Sequence, residues 1–327
     1  MKKFPSIEQF RHVIRAERDS AAFRGEEPGR RVYVGTVKLH GTNAGISQNP
    51  AGELTYLSRN RKLAIGDDNA GFAGAMIDNE NIVDMIFSDI RTRYLVGADD
   101  TIAVFGEWCG QGIQKGVAIN KCPKMFVIFS VLVGEYWLSS EQLRRFPESI
   151  IFNINDFPAW SVEIDFARPE LVQNELIELT LKVEEECPVG AAFGHKGIGE
   201  GIVWTPADGN RDPRFWFKVK GEKHSVSKVV KLASVDPEVI RKRDDLLTAL
   251  VTTNRLQQGL DLHTGDLGHQ LDMRSIGDYL RWVFADITKE ETDTIEASGF
   301  TVKELGKPVS DIAKRFYLAA MNQALVA

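Results

Sequence analysis

Cysteine is scarce in this chain of 327 residues, and its three cysteines form no Cys-x-x-Cys pair. An odd, widely spaced set of this kind argues against a disulfide framework and a zinc cluster, and favours a reducing compartment. Long apolar runs are also missing. No stretch approaches the roughly 18 apolar residues of a membrane span, and the first residues lack the apolar core of a signal peptide. The sequence therefore predicts a cytoplasmic protein without a membrane anchor.

An excess of basic residues is absent as well. The net charge is −6 and the isoelectric point is near 5.7, which argues against a protein that coats nucleic acid nonspecifically. Basic side chains nevertheless cluster at residues 59–62, 218–231 and 241–243. A local basic groove is therefore compatible with the acidic total.

Two common phosphate-binding motifs are missing. No Gly-x-x-x-x-Gly-Lys-Ser/Thr occurs, which excludes a P-loop. The glycines at positions 194–201 follow no clear strand of a βαβ unit, so a Rossmann fold is not indicated. Nucleotide chemistry, if present, has to use another arrangement.

Strand patterns dominate the first two thirds of the chain. Residues 32–37, 101–106, 125–133 and 215–220 have the β-branched and aromatic composition of strands, and residues 53–58 are predicted to form a hairpin with residues 32–37. A helix is expected at residues 170–186.

Helical patterns replace the strands after about residue 234. Asp236-Pro237 is an N-cap followed by proline at the first helical position, an apolar stripe runs from Ile276 to Ile287, and Thr288–Glu291 has the spacing of a capping box. We therefore predict an α+β fold in two domains, residues 1–230 with antiparallel sheets and flanking helices, and residues 231–327 as a smaller all-α domain.

The stretch Lys38-Leu-His-Gly-Thr-Asn43 follows directly on the strand predicted at residues 32–37. Lys38 ends an apolar strand, where partial desolvation favours the neutral, nucleophilic form of its amine. Gly41 and Asn43 suit a turn. Taken alone, such a lysine is more often a surface residue whose aliphatic stem crosses a strand edge.

Further stretches favour the nucleophilic role of Lys38 over that of an ordinary surface lysine, because they follow Lys38 in a particular order. They are Ser58-Arg59-Asn60, Phe105-Gly-Glu107, Phe126-Val-Ile-Phe129, Glu200-Gly-Ile-Val203 and Lys218-Val-Lys220. The order resembles that of the covalent nucleotidyltransferases, the superfamily of DNA ligases, RNA ligases and messenger-RNA capping enzymes. His40 stands where DNA ligases and capping enzymes typically carry aspartate, so the chain is most similar to ATP-dependent RNA ligases of the double-stranded, nick-sealing phage and editing class. The resemblance covers about residues 30–221.

This resemblance implies a role for each motif, with the nucleotidyltransferase domain as the expected fold. Lys38 would take AMP from ATP, and Lys218 and Lys220 would assist catalysis. Glu107 would bind the ribose, and Glu200 would hold the divalent metal, Mg²⁺ or Mn²⁺, or its water shell. The remaining residues expected to bind the nucleotide are His40, Gly41, Asn43, Arg59 and Phe129, with Phe126 as the less favoured partner of the adenine.

Elementary chemistry supports the same assignments. An amine that attacks the α-phosphorus of ATP needs nearby cations to neutralise the triphosphate. Lys218 and Lys220 alternate with apolar residues, so they share one face of their strand, and as like charges they would favour the neutral form of Lys38. Arg59 suits a phosphate clamp.

The sequence thus predicts an ATP-dependent RNA ligase that joins 3′-hydroxyl and 5′-phosphate RNA ends, with duplex or nicked RNA as its partner and no obligate protein partner. The helical domain would clamp the RNA, with phosphate contacts from Arg241, Lys242 and Arg243. Two alternatives stay open: another covalent nucleotidyltransferase, of the capping or DNA-ligase type, and a non-catalytic nucleic-acid-binding protein.

Overall fold

The computed structural model describes residues 2–146, 149–209, 211–221, 223, 236–266 and 269–326. Its strands are β1 (Glu8–Gln9), β2 (Arg30–Lys38), β3 (Thr42–Gln48), β4 (Leu54–Ser58), β5 (Ile102–Cys109), β6 (Met125–Val133), β7 (Tyr136–Ser139), β8 (Ile151–Asn153), β9 (Ala159–Asp165), β10 (Gly201–Pro206) and β11 (Phe217–Lys220). Its α-helices are α1 (Phe10–Phe23), α2 (Phe72–Ile77), α3 (Glu80–Arg93), α4 (Gln173–Glu185), α5 (Pro188–Ala192), α6 (Pro237–Leu250), α7 (Thr253–Asp261), α8 (Ile276–Ala297) and α9 (Val302–Val326). The predicted α+β fold class is confirmed.

A five-stranded sheet, in the order β1-β11-β10-β2-β9, carries several of the predicted motifs. Its central strands have two different faces because side chains alternate along a strand. On one face the fully buried aromatic rings of Tyr33, Trp204 and Phe217 pack together, joined by Phe10 of α1. The opposite face carries the lysines of β2 and β11, which are only partly buried.

A second sheet has the order β4-β3-β5-β6-β7, and β8 pairs with β6. One of its faces packs on α2 and α3 through a large apolar core that includes Ile46, Phe72 and Phe126. The other face contributes Leu57, Ala103, Phe105 and Leu132 to a smaller aromatic cluster. This smaller cluster also contains Phe4 and Trp216, so residues next to the first sheet join it.

The hairpin predicted between residues 32–37 and 53–58 is wrong. The strand β2 pairs with β10 in the first sheet, whereas β4 pairs with β3 in the second. The strand β3 contains glycine and polar residues, a composition of low β-propensity, and it is stabilised by pairing with β4 on one side and β5 on the other.

The chain forms two compact units that interleave in sequence. The first, the sheet unit, comprises residues 1–13, 31–164 and 174–232, and the second, the helical unit, comprises residues 14–30, 165–173 and 233–327. The boundary predicted near residue 230 lies outside the described residues. Besides the helices after residue 236, the helical unit thus includes two earlier segments.

The helical unit has its own core, in which Leu247, Tyr279, Val283, Val309 and Tyr317 are buried. The predicted N-cap is confirmed, because the Asp236 side chain accepts a hydrogen bond from the backbone of Glu238. The predicted capping box is wrong: α8 runs through Thr288, whose hydroxyl donates to the carbonyl of Phe284. No helix in the described part of the chain is long and apolar enough to cross a membrane.

Candidate active site

Three neighbouring strands bring two lysines to one point of the first sheet. Gly201 of β10 lies opposite Lys38 of β2 on one side and opposite Lys220 of β11 on the other. Residues that are opposite in antiparallel strands share a face, so both lysines project beside Gly201. A Cβ atom at Gly201 would lie 2.1 Å from the carbonyl oxygen of Val219, which is why this position requires glycine.

The carboxylate of Glu200 lies between these two lysines. Its Oε2 is 2.7 Å from Nζ of Lys38 and its Oε1 is 2.7 Å from Nζ of Lys220. Nδ1 of His40 lies 3.3 Å from the same Oε2. Burial to 3% exposure raises the pKa of Glu200, but Lys38 and Lys220 outweigh burial and hold the pKa below its ordinary value. The carboxylate is therefore ionised and shared between cations.

Lys218 extends this cationic group along β11. It lies two residues before Lys220 and therefore on the same face of the strand. Burial lowers the pKa of Lys218, and the charges of Lys38, Lys220 and Arg59 lower it further. These effects show that four basic side chains lie close enough to interact, which makes the site suited to a polyanion.

Glu107 is the second acidic side chain of the site and comes from β5 of the other sheet. The backbone N–H of Gly41 donates to its Oε1 at 3.0 Å. Burial raises the pKa of Glu107 to about 7, although Lys38 and the Gly41 N–H oppose this shift. Glu107 is therefore close to half protonated at neutral pH and can either donate or accept a hydrogen bond.

The turn around Gly41 is tightly enclosed. A Cβ atom at Gly41 would lie 2.3 Å from the carbonyl oxygen of Trp108. The side-chain amide of Gln114 donates to the carbonyl of Gly41 at 3.3 Å, so both ends of this residue are held by side chains. Asn43 follows on β3, directly opposite Glu107. Gln114 was missed by sequence reasoning, since a glutamine in a glycine-containing loop carries no recognisable pattern.

Arg59 lies just after β4 and is exposed. Its guanidinium donates to Oγ of Ser6 at 3.0 Å. It interacts electrostatically with both Glu107 and Lys218, so the structure brings this predicted residue to the same site. Ser6 is a second residue that sequence reasoning did not identify.

The two phenylalanines considered for base stacking have different surroundings. Phe126 is fully buried on the α2–α3 side of the sheet, with its ring 4.9 Å from that of Phe72. Phe129 is only partly buried and packs with the aromatic cluster of the opposite face. The pairing of β5 with β6 shifts register between Phe105 and Gly106, which leaves Phe129 as the extra residue of a bulge. Bulges re-aim side chains and are frequent beside active sites.

Comparisons with known proteins identify the family of this chain. The RNA ligase family matches residues 31–220, more than half of the chain, so the chain belongs to the RNA ligase family. No match was found among curated proteins. Among solved structures, the chain is similar to Naegleria gruberi RNA ligase with PPi, at 15% identity and a TM-score of 0.44, over 68% of this chain and 57% of that one. A lysine-to-alanine variant of that ligase with ATP and Mn gives 15% identity, a TM-score of 0.46 and the same coverage. The chain thus covers little more than half the length of these ligases.

Proposed function

We propose that this chain is an ATP-dependent RNA ligase that joins 3′-hydroxyl and 5′-phosphate RNA ends. The observation that carries this proposal is the buried Glu200 carboxylate held between Lys38 and Lys220 at 2.7 Å on each oxygen. Lys218 and Arg59 lie beside this group, so the site combines a candidate nucleophile with cations for a triphosphate.

In this arrangement Lys38 begins as the cationic partner of Glu200. To react, its amine has to pass a proton to solvent water and turn from the carboxylate towards the α-phosphorus of ATP. A new P–N bond then forms while the bond from the α-phosphorus to the bridging oxygen breaks, and pyrophosphate leaves with the electron pair. Lys218, Lys220 and Arg59 would stabilise the negative charge that accumulates on the phosphates.

The remaining two steps move AMP and seal the RNA. An oxygen of the RNA 5′-phosphate attacks the phosphorus of the lysyl-AMP, and the amine of Lys38 leaves and regains a proton. The 3′-hydroxyl then loses its proton as it attacks the 5′-phosphorus of the adenylated end, and AMP leaves. Each step depends on holding the two reacting groups in line, which is a positioning task for the protein.

Glu200 would hold a divalent metal ion, Mg²⁺ or Mn²⁺. The described part of the chain contains no group of three or more acidic, histidine or cysteine side chains arranged for a metal. Mg²⁺ usually takes one or two carboxylates together with substrate phosphates and water, and a single ionised, buried carboxylate fits that requirement. When bound, such an ion would neutralise charge on the phosphates.

Base and sugar contacts are assigned to the other sheet. Phe129 would stack on the adenine, because Phe126 is buried on the opposite face. Glu107 would bind a ribose hydroxyl, and its pKa of about 7 allows it to donate or accept there. His40, Gly41 and Asn43 would complete the set of residues that bind the nucleotide.

The helical unit would hold duplex or nicked RNA in register, and the protein would act in the cytoplasm. Arg241 and Lys242 are exposed and free to meet phosphates. Arg243 is less suited than predicted, because its guanidinium binds Glu170 at 2.7 Å and Asp244 at 3.1 Å. A preference for RNA would come from the 2′-hydroxyl and the A-form shape of the substrate.

The test is to incubate the full-length protein with α-labelled ATP and Mg²⁺ and to look for a labelled protein adduct. The adduct is then offered nicked duplex RNA, single-stranded RNA and matching DNA ends. We expect labelling by ATP and sealing of RNA. Labelling by GTP instead would favour a capping-type enzyme, sealing of DNA alone a DNA ligase, and the absence of any adduct a non-catalytic binding protein.

A further inference from the structure

The N-terminal segment, residues 2–9, ends in β1, the edge strand of the first sheet, and reaches the aromatic cluster of the second sheet through Phe4. Nζ of Lys2 donates to the carbonyl of Glu135 at 3.4 Å, beside the β6–β7 turn. At the other end, β1 pairs with β11, and Gln9 lies opposite Lys218. Between these two anchors, Phe4 is buried and Ser6 is exposed.

Phe4 supports the aromatic cluster that contains Phe129. Its side chain is 8% exposed, and its ring centroid is 4.8 Å from that of Phe129. The rings of Trp137 and Trp216 lie 5.4 and 5.9 Å away on other sides. Since Phe129 is the extra residue of a bulge, the regular strand ladder does not fix its direction, and the packing of Phe4 does.

Ser6 supports Arg59 in the same way. Its hydroxyl accepts a hydrogen bond from the guanidinium at 3.0 Å, whereas Arg59 is otherwise exposed. A long, exposed arginine loses side-chain entropy when it is fixed on a phosphate, and a hydrogen bond made beforehand reduces that loss. The segment therefore contacts both a base-side and a phosphate-side residue of the site.

We propose that Phe4 and Ser6 are positioning residues of the nucleotide site, which fix the ring of Phe129 for the adenine and the guanidinium of Arg59 for a phosphate. This inference rests on the proposed function, since it names how the adenylylation site is set up. The N-terminal segment thereby gains a part in the selection of ATP that the sequence alone did not predict.

The test measures KM for ATP, the saturating rate of Lys38 adenylylation and the preference for ATP over GTP. We expect Phe4→Ala to raise KM for ATP about fivefold and to weaken the preference for ATP, with the saturating rate within about twofold, since aromatic packing is lost on the base side. Ser6→Ala should slow adenylylation about two- to fivefold without changing the ATP preference, since one hydrogen bond is lost on the phosphate side.

Lys3→Ala is the matched control, because Lys3 is an exposed residue of the same segment to which no contact of the site is assigned, and it should leave all three quantities unchanged. If Phe4→Ala fails to fold, Phe4→Leu is measured instead, because it removes the aromatic ring but keeps most of the buried volume. It should weaken the preference for ATP in the same direction. A wild-type protein that labels normally, together with Phe4 and Ser6 variants that lower only the melting temperature, overturns this inference and leaves the proposed function standing. A wild-type protein that forms no adduct overturns the proposed function and the inference with it.

Discussion

The sheet unit and the helical unit use buried charge in different ways. In the sheet unit, one carboxylate, Glu200, is shared by Lys38 and Lys220, with Lys218 close by, so positive charge is in excess. In the helical unit, Arg255 bonds Asp286 at 2.9 Å and Glu291 at 3.0 Å and also donates to a backbone carbonyl. The first arrangement is electrostatically incomplete, whereas the second satisfies its own donors.

This difference indicates which unit does chemistry. An excess of cations that lower one another's pKa destabilises a fold unless a ligand compensates, so such a cluster indicates a binding role. A network that satisfies its own donors and acceptors, such as that of Arg255, holds helices together and leaves no charge of its own for the chemical steps. The comparison predicts that substitutions in the sheet unit change activity and that those in the helical unit change stability.

The largest effect is expected from Lys38→Ala. Loss of the nucleophile should reduce formation of the labelled adduct at least about 1,000-fold, since Lys218 and Lys220 are expected to bind the phosphates rather than to attack them. The fold should be retained, because Lys38 is only partly buried. Gel analysis of protein labelled with α-labelled ATP measures the effect. Lys182→Ala, which removes an exposed lysine of α4, is the control. Normal labelling of Lys38→Ala would mean that another lysine takes the nucleotide.

The next largest effect concerns the two cations of β11. Lys220→Ala should slow adenylylation about 100-fold and Lys218→Ala about 10-fold, because both charges are expected to face the triphosphate. RNA binding, measured separately by filter retention, should weaken much less. Arg214→Ala removes an exposed cation just before the same strand and should have no effect. Unchanged adenylylation in both lysine variants would place them on an ordinary solvated face.

Much of the fold and of the candidate site could be predicted because the relevant signals are local. Their β-branched and aromatic composition indicated the strands that lead to Lys38 and Glu107 and the strand that contains Lys220, and a helical stripe indicated α8. The fold class is confirmed, and the roles of the individual site residues stay predictions. His40 lies near Glu200, a contact that the sequence did not predict, and its part in binding the nucleotide stays a prediction.

The remaining features depend on partners that are distant in sequence. The strand β3 has weak strand propensity and exists because β4 and β5 flank it. Glu27 belongs to the helical unit through Arg315, which is 288 positions away, and Glu170 through Arg243. Thr288 could not be recognised as a mid-helix residue from a local motif, because the buried positions Val283, Ile287 and Ile295 carry the helix past it. Phe4 and Ser6 gain their roles only when the sheets assemble.

A smaller effect, on stability, is expected in the helical unit. Arg255→Ala should lower the free energy of unfolding by about 3 kcal/mol, because Asp286 and Glu291 would be left partly buried without their cation. Adenylylation should stay within about twofold of wild type. The control is Arg281→Ala in the same unit. The side chain of Arg281 is 80% exposed, whereas that of Arg255 is 16% exposed. Urea unfolding and adduct formation are measured on the same samples. A fall in adenylylation that matches the fall in stability would contradict the division between the units.

Glu107→Gln tests the charge imbalance within the sheet unit, with an effect on stability that depends on pH. Burial raises the pKa of Glu107 to about 7 in the folded protein, whereas an unfolded glutamate titrates near 4.3. The folded state therefore binds more protons between these values, and wild-type stability falls as pH rises through this window. Glutamine stays neutral and still accepts the Gly41 N–H. The variant should match wild type at pH 4.5, and the difference between the two pKa values sets its gain above pH 7 at about 3 kcal/mol. Thermal unfolding across pH 4.5 to 8, with Glu178→Gln on an exposed helix face as control, measures this difference. A constant offset at every pH would mean that Glu107 is ionised throughout and that Lys38 and the other cations fully balance its charge.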